Sequence, residues 1–170
     1  FGSNVHILPG SGDDTIIGSA SDDTIDGGTG NDVIKAGSGD DIIVISDIET
    51  GGLDKLLSFT SDGDAAGVNA GTDKIQFSTS DLESVTGFAA YTGSGTTVTL
   101  TGGNKVEFLV NGSADEAGAT FIYNTTTGKL SFDADGTGTN AAIEVVQVYS
   151  DDGQTSVLAD LLAADLTFIA

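Results

Sequence analysis

Along the first quarter of the chain the apolar residues keep an unusual rhythm. Ile7, Ile16, Ile25, Ile34 and Ile43 fall nine residues apart, and the position two before each of the last four is Asp: Asp14, Asp23, Asp32 and Asp41. Neither the helical nor the strand period produces a spacing of nine, so the segment specifies a stacked repeat. Aligned, it resolves into four nine-residue units, Pro9–Ile17, Gly18–Asp26, Gly27–Lys35 and Ala36–Val44. Position 6 is always Asp, position 8 always Ile and position 5 Asp or Asn. Positions 2 and 4 are Gly except in the second unit, which has Ser19 and Ser21.

The residue types dictate a shape. Gly at positions 2 and 4 permits a sharp turn with its carbonyls facing one way. The three residues after the turn suffice only for a short strand whose middle side chain points inward. Two units then close one flattened coil, and successive coils stack ~4.8 Å apart as parallel strands. This geometry predicts Asp14 over Asp32 on one edge and Asp23 over Asp41 on the other. Ile16 and Ile34 form one interior row, with Ile7, Ile25 and Ile43 opposite. His6 falls at position 7 of a degenerate leading unit, facing solvent, and has no assigned role.

Beyond Val44 the pattern changes to ordinary alternation. Strands are predicted at 74–78, 96–100, 105–110, 120–124, 129–134 and 143–149, with "TTTGK" as a hairpin turn. Ser80 and Glu83 predict a capping box on one helical turn, and Leu158, Leu161, Leu162 and Leu166 predict a short helix with one apolar face. The run Ile42–Ile45 points apolar side chains outward as well as inward, a row that calls for cover by the downstream segment. The expected fold is therefore all-β: a parallel β-roll over 1–46, continuing into a β-rich C-terminal region over 47–170 with one short helix.

Charge sharpens this picture. There are 26 Asp and Glu against five Lys and no Arg, a formal charge of −21. Carboxylates in that excess oppose compaction unless cations neutralise them, and with no basic patch nucleic acid and anionic membranes are poor partners. A 38% hydrophobic content argues against disorder. No run of residues is long and apolar enough for a membrane-spanning helix. The lack of Cys removes disulfides and thiolate metal sites, and a single His leaves Zn²⁺ without ligands. Carboxylates stacked one coil apart require a hard dication with oxygen ligands. Flexible coordination by carbonyl and carboxylate oxygens describes Ca²⁺, whereas Mg²⁺ prefers a tighter, partly hydrated octahedron.

"GGTGNDVIK", Gly27–Lys35, resembles the nonapeptide G-G-x-G-x-D-x-U-x of the RTX (repeats-in-toxin) family at every signature position. The resemblance implies a parallel β-roll with at least two Ca²⁺ ions, bound between turns one full coil apart. Carried over by position, one site takes Gly10, Gly12, Asp14, Gly27, Gly28, Gly30 and Asp32. The other takes Ser19, Ser21, Asp23, Ala36, Gly37, Gly39 and Asp41, the aspartates giving carboxylates and the remainder mainly backbone oxygens. Upstream, Val5 takes the aspartate's place and would leave a site incomplete. The segment Phe121–Val148 also resembles the sequence that closes many RTX proteins, and the final "DLTFIA" resembles the C-terminal signals read by type I secretion machinery.

Two acidic loops stand apart. Asp133 and Asp135 before Gly136 look like the opening of a calcium loop without its later Glu; a plain polar turn explains them as well, and the same holds for Asp62 and Asp64. Catalytic chemistry has little to work with: there is no His-Glu-x-x-His and no Gly-x-Ser-x-Gly. The chain begins at Phe1 without Met, which reads as part of a larger protein whose missing portion could be an enzyme. The expectation is a non-catalytic, Ca²⁺-dependent folding and export module of a secreted or cell-surface bacterial protein. The alternative is an adhesin or surface-layer module that binds a glycan or a neighbouring protein. That alternative has no Trp and only Tyr91, Tyr123 and Tyr149 to stack on a sugar. Only Thr29 and Asn31 would suit an ice-binding face.

Overall fold

The computed structural model describes residues 6–46, 48, 52–61, 72–90, 96–100, 105–112, 118–158 and 160–170. Its strands are β1 (His6–Ile7), β2 (Thr15–Ile17), β3 (Thr24–Asp26), β4 (Val33–Lys35), β5 (Ile42–Ile45), β6 (Asp54–Leu57), β7 (Lys74–Ser78), β8 (Thr97–Thr99), β9 (Lys105–Val110), β10 (Thr120–Asn124), β11 (Lys129–Asp133), β12 (Ile143–Val148) and β13 (Leu166–Ile169). Helix α1 spans Thr79–Ser84, and a short 3-10 turn spans Ala163–Asp165. The fold is all-β, as the apolar rhythm predicts.

The strands form two sheets. One has the order β1-β3-β5-β7-β13 and the other β2-β4-β6-β12-β11-β10-β9-β8. Alternate strands of the repeat thus go to opposite sheets, as a flattened coil requires. Pairing within the roll is parallel and in register: Ile16 lies beside Ile34 and Ile34 beside Leu56. In the other sheet Ile7, Ile25, Ile43 and Ile75 stand side by side in that order. Ile25, Ile34, Ile43, Leu56 and Ile75 are all fully buried, so the interior is two facing single-file rows of aliphatic side chains.

Both parallel ladders continue past Ile45, through β6 in one sheet and β7 in the other. Each then receives a strand from far along the chain: β12 pairs with β6 and β13 with β7. The edge of the last coil is thereby offered partners on both sheets, which is how the fold blunts an otherwise open ladder. Ile42 and Val44, the outward row of β5, stay half-buried. The downstream chain covers the edge of β5 through β7.

In the C-terminal half β10, β11 and β12 form an antiparallel meander. Its packing centres on aromatic rings, with Phe121 4.9 Å from Phe77 and 5.0 Å from Phe132 between centroids. The hairpin after β10 forms as the sequence predicts: Asn124 Oδ1 accepts from Thr126 and Thr127 N–H, and Gly128 N–H returns to Asn124 O.

Two local expectations are corrected. The cap of α1 is Ser78, whose Oγ accepts from Asp81 N–H at 3.3 Å, so the helix starts before Ser80. Among the described residues the leucine stripe Leu158–Leu166 is not an α-helix, and only residues 163–165 turn. Its backbone is claimed from outside: Leu158 N–H donates to Val148 O, the Tyr123 hydroxyl donates to Leu158 O and Ser61 Oγ donates to Asp160 O. Those bonds replace the internal ladder a helix needs. Leu158, Leu161 and Leu166 are buried all the same, while Leu162 is exposed.

Candidate metal centre

The aspartates at position 6 form a ladder of their own. Asp14 N–H donates to Asp32 Oδ1 and Asp23 N–H to Asp41 Oδ1, both at 2.8 Å. One carboxylate oxygen of each downstream aspartate is therefore spent on fixing the coil before it. The other is left over: Oδ2 of Asp32 and Oδ2 of Asp41 are buried with no hydrogen-bond partner. Asp32 is 1% exposed and Asp41 0%. Burial pushes both carboxyls above the usual range, against the lowering effect of the N–H donated from the coil before, and neighbouring aspartates push the same way. A buried anion in this state costs several kcal/mol unless a counter-charge is supplied.

Position 5 runs a second ladder in the opposite sense. Asp13 Oδ1 accepts from Asn31 N–H at 2.8 Å, Asp22 Oδ1 from Asp40 N–H at 3.0 Å, and Asn31 Oδ1 from Leu53 N–H at 3.2 Å. These bonds lie on the exposed side of the turns. Only one acceptor oxygen is required there, so Asn serves as well as Asp. Position 6 uses one oxygen as an acceptor and leaves a second, negatively charged one inside the turn, which Asn lacks.

The turns bring backbone oxygens to the same place. Gly28 (φ +84°) and Gly30 (φ +135°) lie so close on the coil below that a Cβ would fall 1.9 Å from Gly10 O and 2.3 Å from Gly12 O. Gly10 O accepts from Thr29 N–H and Ser19 O from Ser38 N–H; each carbonyl keeps a second lone pair. Gly27 is packed against Asp32 Oδ2, and Gly37 against Ser19 O. No three His, Asp or Glu side chains converge as a metal cluster among the described residues. A cation between these coils would thus draw on two carboxylates and complete its shell with carbonyls, a donor set that fits a hard ion of high coordination number.

Residues 9–43 match the model of the RTX calcium-binding nonapeptide repeat, in four copies. These turns bind calcium in the family to which that repeat belongs, and the orphaned carboxylate oxygens are where this chain offers it a charge. No curated protein matches the chain.

Within the RTX turns the structure stacks Gly10, Gly12 and Asp14 under Gly28, Gly30 and Asp32, and Ser19, Ser21 and Asp23 under Gly37, Gly39 and Asp41. Ala36 lies with its carbonyl over Gly18. The serines of the second turn do more than present backbone oxygens: Ser19 N–H donates to Asp23 Oδ2 at 2.6 Å and Ser19 Oγ to Asp23 Oδ1 at 3.1 Å. His6 is exposed on β1.

Two members of the ladder escape the nine-residue spacing. Asp32 N–H donates to Asp54 Oδ1 at 2.9 Å, across 22 residues, and Asp41 N–H donates to Asp73 Oδ1 at 3.2 Å, across 32. Burial, with adjacent aspartates, pushes both carboxyls up to about 7. The signal is present as "GLDKL" (52–56) and "GTDKI" (71–75), each Gly-x-Asp-x-apolar, but insertions before them break the register.

The Asp133–Asp135 loop is tied up internally. Asp133 Oδ1 accepts from Asp135 and Gly136 N–H, and Asp135 Oδ2 accepts from Thr139 N–H and the Asn140 amide. That is the bonding of a polar turn, but Asp135 Oδ1 is left buried without a hydrogen-bond partner. Asp62 and Asp64 lie outside the described residues. No helix among the described residues is long and apolar enough to cross a membrane.

Proposed function

We propose that this chain is a Ca²⁺-dependent folding module of a secreted protein, with one ion between the first and third RTX turns and one between the second and fourth. The observation that carries the reading is the pair of buried, unpartnered oxygens on Asp32 and Asp41, held in turns that match calcium-binding repeats. Each group of residues has its part. Asp14, Asp32, Asp23 and Asp41 supply charge; the backbone carbonyls at positions 2 and 4 supply neutral oxygens; the position-5 ladder fixes the coil spacing from outside. Bound Ca²⁺ supplies the positive charge that lets the carboxylates stack.

Where Ca²⁺ is scarce, a formal charge of −21 opposes coil closure. At the ~millimolar Ca²⁺ of extracellular space, binding becomes folding free energy. The terminal "DLTFIA" serves, in this reading, as a signal for type I secretion while the chain is unfolded, and is withdrawn as β13 once it folds. No catalytic role is assigned to the chain. Against the sugar-stacking alternative, Tyr123 and Tyr149 are buried, and Tyr91 lies outside the described residues.

The test is far-UV circular dichroism of EDTA-treated protein during titration with Ca²⁺, with Mg²⁺ as control. A cooperative gain of β signal with Ca²⁺ alone is expected. A chain already fully folded in EDTA, with no change on adding Ca²⁺, would refute the folding switch.

A further inference from the structure

The match to calcium-binding repeats ends at residue 43, but the coil geometry that makes a site does not. We propose that the coil bearing Gly52 and Asp54, stacked on the Gly28–Asp32 turn, completes a third Ca²⁺ site, whereas the equivalent coil bearing Asp73 does not. The inference rests on the reading of the RTX turns as Ca²⁺ sites and extends it to residues outside the repeat.

Three observations mark Asp54 as part of a site, and the second sets it apart from Asp73. It is buried much like the repeat aspartates, at 6% exposed. Its one hydrogen bond among the described residues is through Oδ1, from Asp32 N–H, which repeats the Asp14–Asp32 step and leaves Oδ2 free. Beneath it, Asp32 contributes a buried carboxylate oxygen without a partner. The backbone repeats too. Gly52 has φ +98°, and a Cβ there would fall 1.9 Å from Gly30 O, the counterpart of the 2.3 Å approach that Gly30 makes to Gly12 O. Asp26 adds negative charge at this edge, with its Oδ1 accepting from Gly28 N–H at 2.9 Å.

Asp73 occupies the matching place on the opposite edge, but both of its oxygens are taken. Oδ1 accepts from Asp41 N–H and Oδ2 from Thr60 N–H, the latter at 2.9 Å. Both donors to Asp73 are backbone N–H groups fixed by the fold, whereas Asp23 Oδ1 in the repeat accepts from the Ser19 hydroxyl, which can rotate away from a cation. The two aspartate rows therefore end differently, one on an open carboxylate and one on a satisfied carboxylate.

The experiment counts Ca²⁺ per folded chain by equilibrium dialysis and elemental analysis, for the wild-type chain, Asp54→Asn and Asp73→Asn. Asn keeps the acceptor for the N–H of the coil below and removes the charge. Asp54→Asn is expected to lose about one ion per chain and Asp73→Asn none. An ion count unchanged by Asp54→Asn, or reduced equally by both, overturns this proposal while leaving the repeat sites standing. A wild-type chain that binds no Ca²⁺ overturns the reading of all the turns. Should Asp54→Asn fail to fold, wild-type crystals grown with Tb³⁺ decide the matter. An anomalous peak at Asp32 and Asp54 is expected, and peaks confined to the four repeat turns overturn it.

Discussion

Asp41 and Tyr123 are both wholly buried, yet they are buried on different terms. The Tyr123 hydroxyl donates to Leu158 O and the ring packs in an apolar sheet, whereas Asp41 Oδ2 meets no donor at all. The contrast holds for the regions around them. The C-terminal sheet is closed by aromatic packing around Phe121. The roll has only a narrow aliphatic interior and a row of carboxylates along each edge. One region is stabilised by what it removes from water, and the other waits for a charge from outside. The two regions meet at β6–β12 and β7–β13.

The largest effect expected from a single substitution is in the sheet. Phe121→Ala removes the ring that touches Phe77, Phe132 and Phe168, and such truncations cost roughly 3–5 kcal/mol. Chemical denaturation should show that loss with and without Ca²⁺. A loss confined to EDTA would mean the sheet depends on the metal too, and the contrast would fail.

A comparable effect, spread over several pH units, comes from pH. In the metal-free chain Asp54 and Asp73 titrate at about 7, while unfolded they titrate near ~3.9. Between those values the folded state holds more protons, so its stability falls as pH rises, on the order of 1 kcal/mol per pH unit for each group. Ca²⁺ requires the deprotonated carboxylates, so its affinity should rise over the same range. Urea melts in EDTA and Ca²⁺ titrations between about pH 5 and 7 test both slopes. Metal-free stability that rises with pH would contradict the burial of uncompensated carboxyls.

The smallest effect separates the two ladders of the roll. Asn31→Asp keeps an acceptor for Leu53 N–H but loses the Nδ2 donor to Asp13, and on this exposed edge should destabilise by no more than about 1 kcal/mol. Asp32→Asn, one residue on, should weaken Ca²⁺ binding by at least about tenfold, since hydrogen bonding survives and charge does not. Calorimetric titration of both variants gives the comparison, and equal effects would erase the distinction between position 5 and position 6.

Much of this was legible in the residues. A nine-residue recurrence of Asp and Ile leaves few geometries open, and alternation in "KIQFS" or "KVEFLV" gave strands whose limits match those observed. The Asp-or-Asn rule at position 5 was visible as a pattern, but its cause, a backbone N–H arriving from the next coil, was not. Asp54 and Asp73 carry the same local motif as the repeats and were hidden by the insertions ahead of them. Periodicity detects equal spacing along the chain, whereas hydrogen bonds respond only to position in space.

The residue pattern alone thus settles what is local and repetitive: turn, short strand, inward Ile, edge Asp, and from these the roll. Long-range contacts set how that roll ends. Leucines spaced for a helix became an irregular segment because Tyr123, Val148 and Ser61 took its backbone groups. Thr60 satisfied one terminal aspartate, and no described neighbour satisfied Oδ2 of the other. A repeat is written in spacing, but its termination depends on which distant groups arrive to meet the last coil, and no local pattern records that.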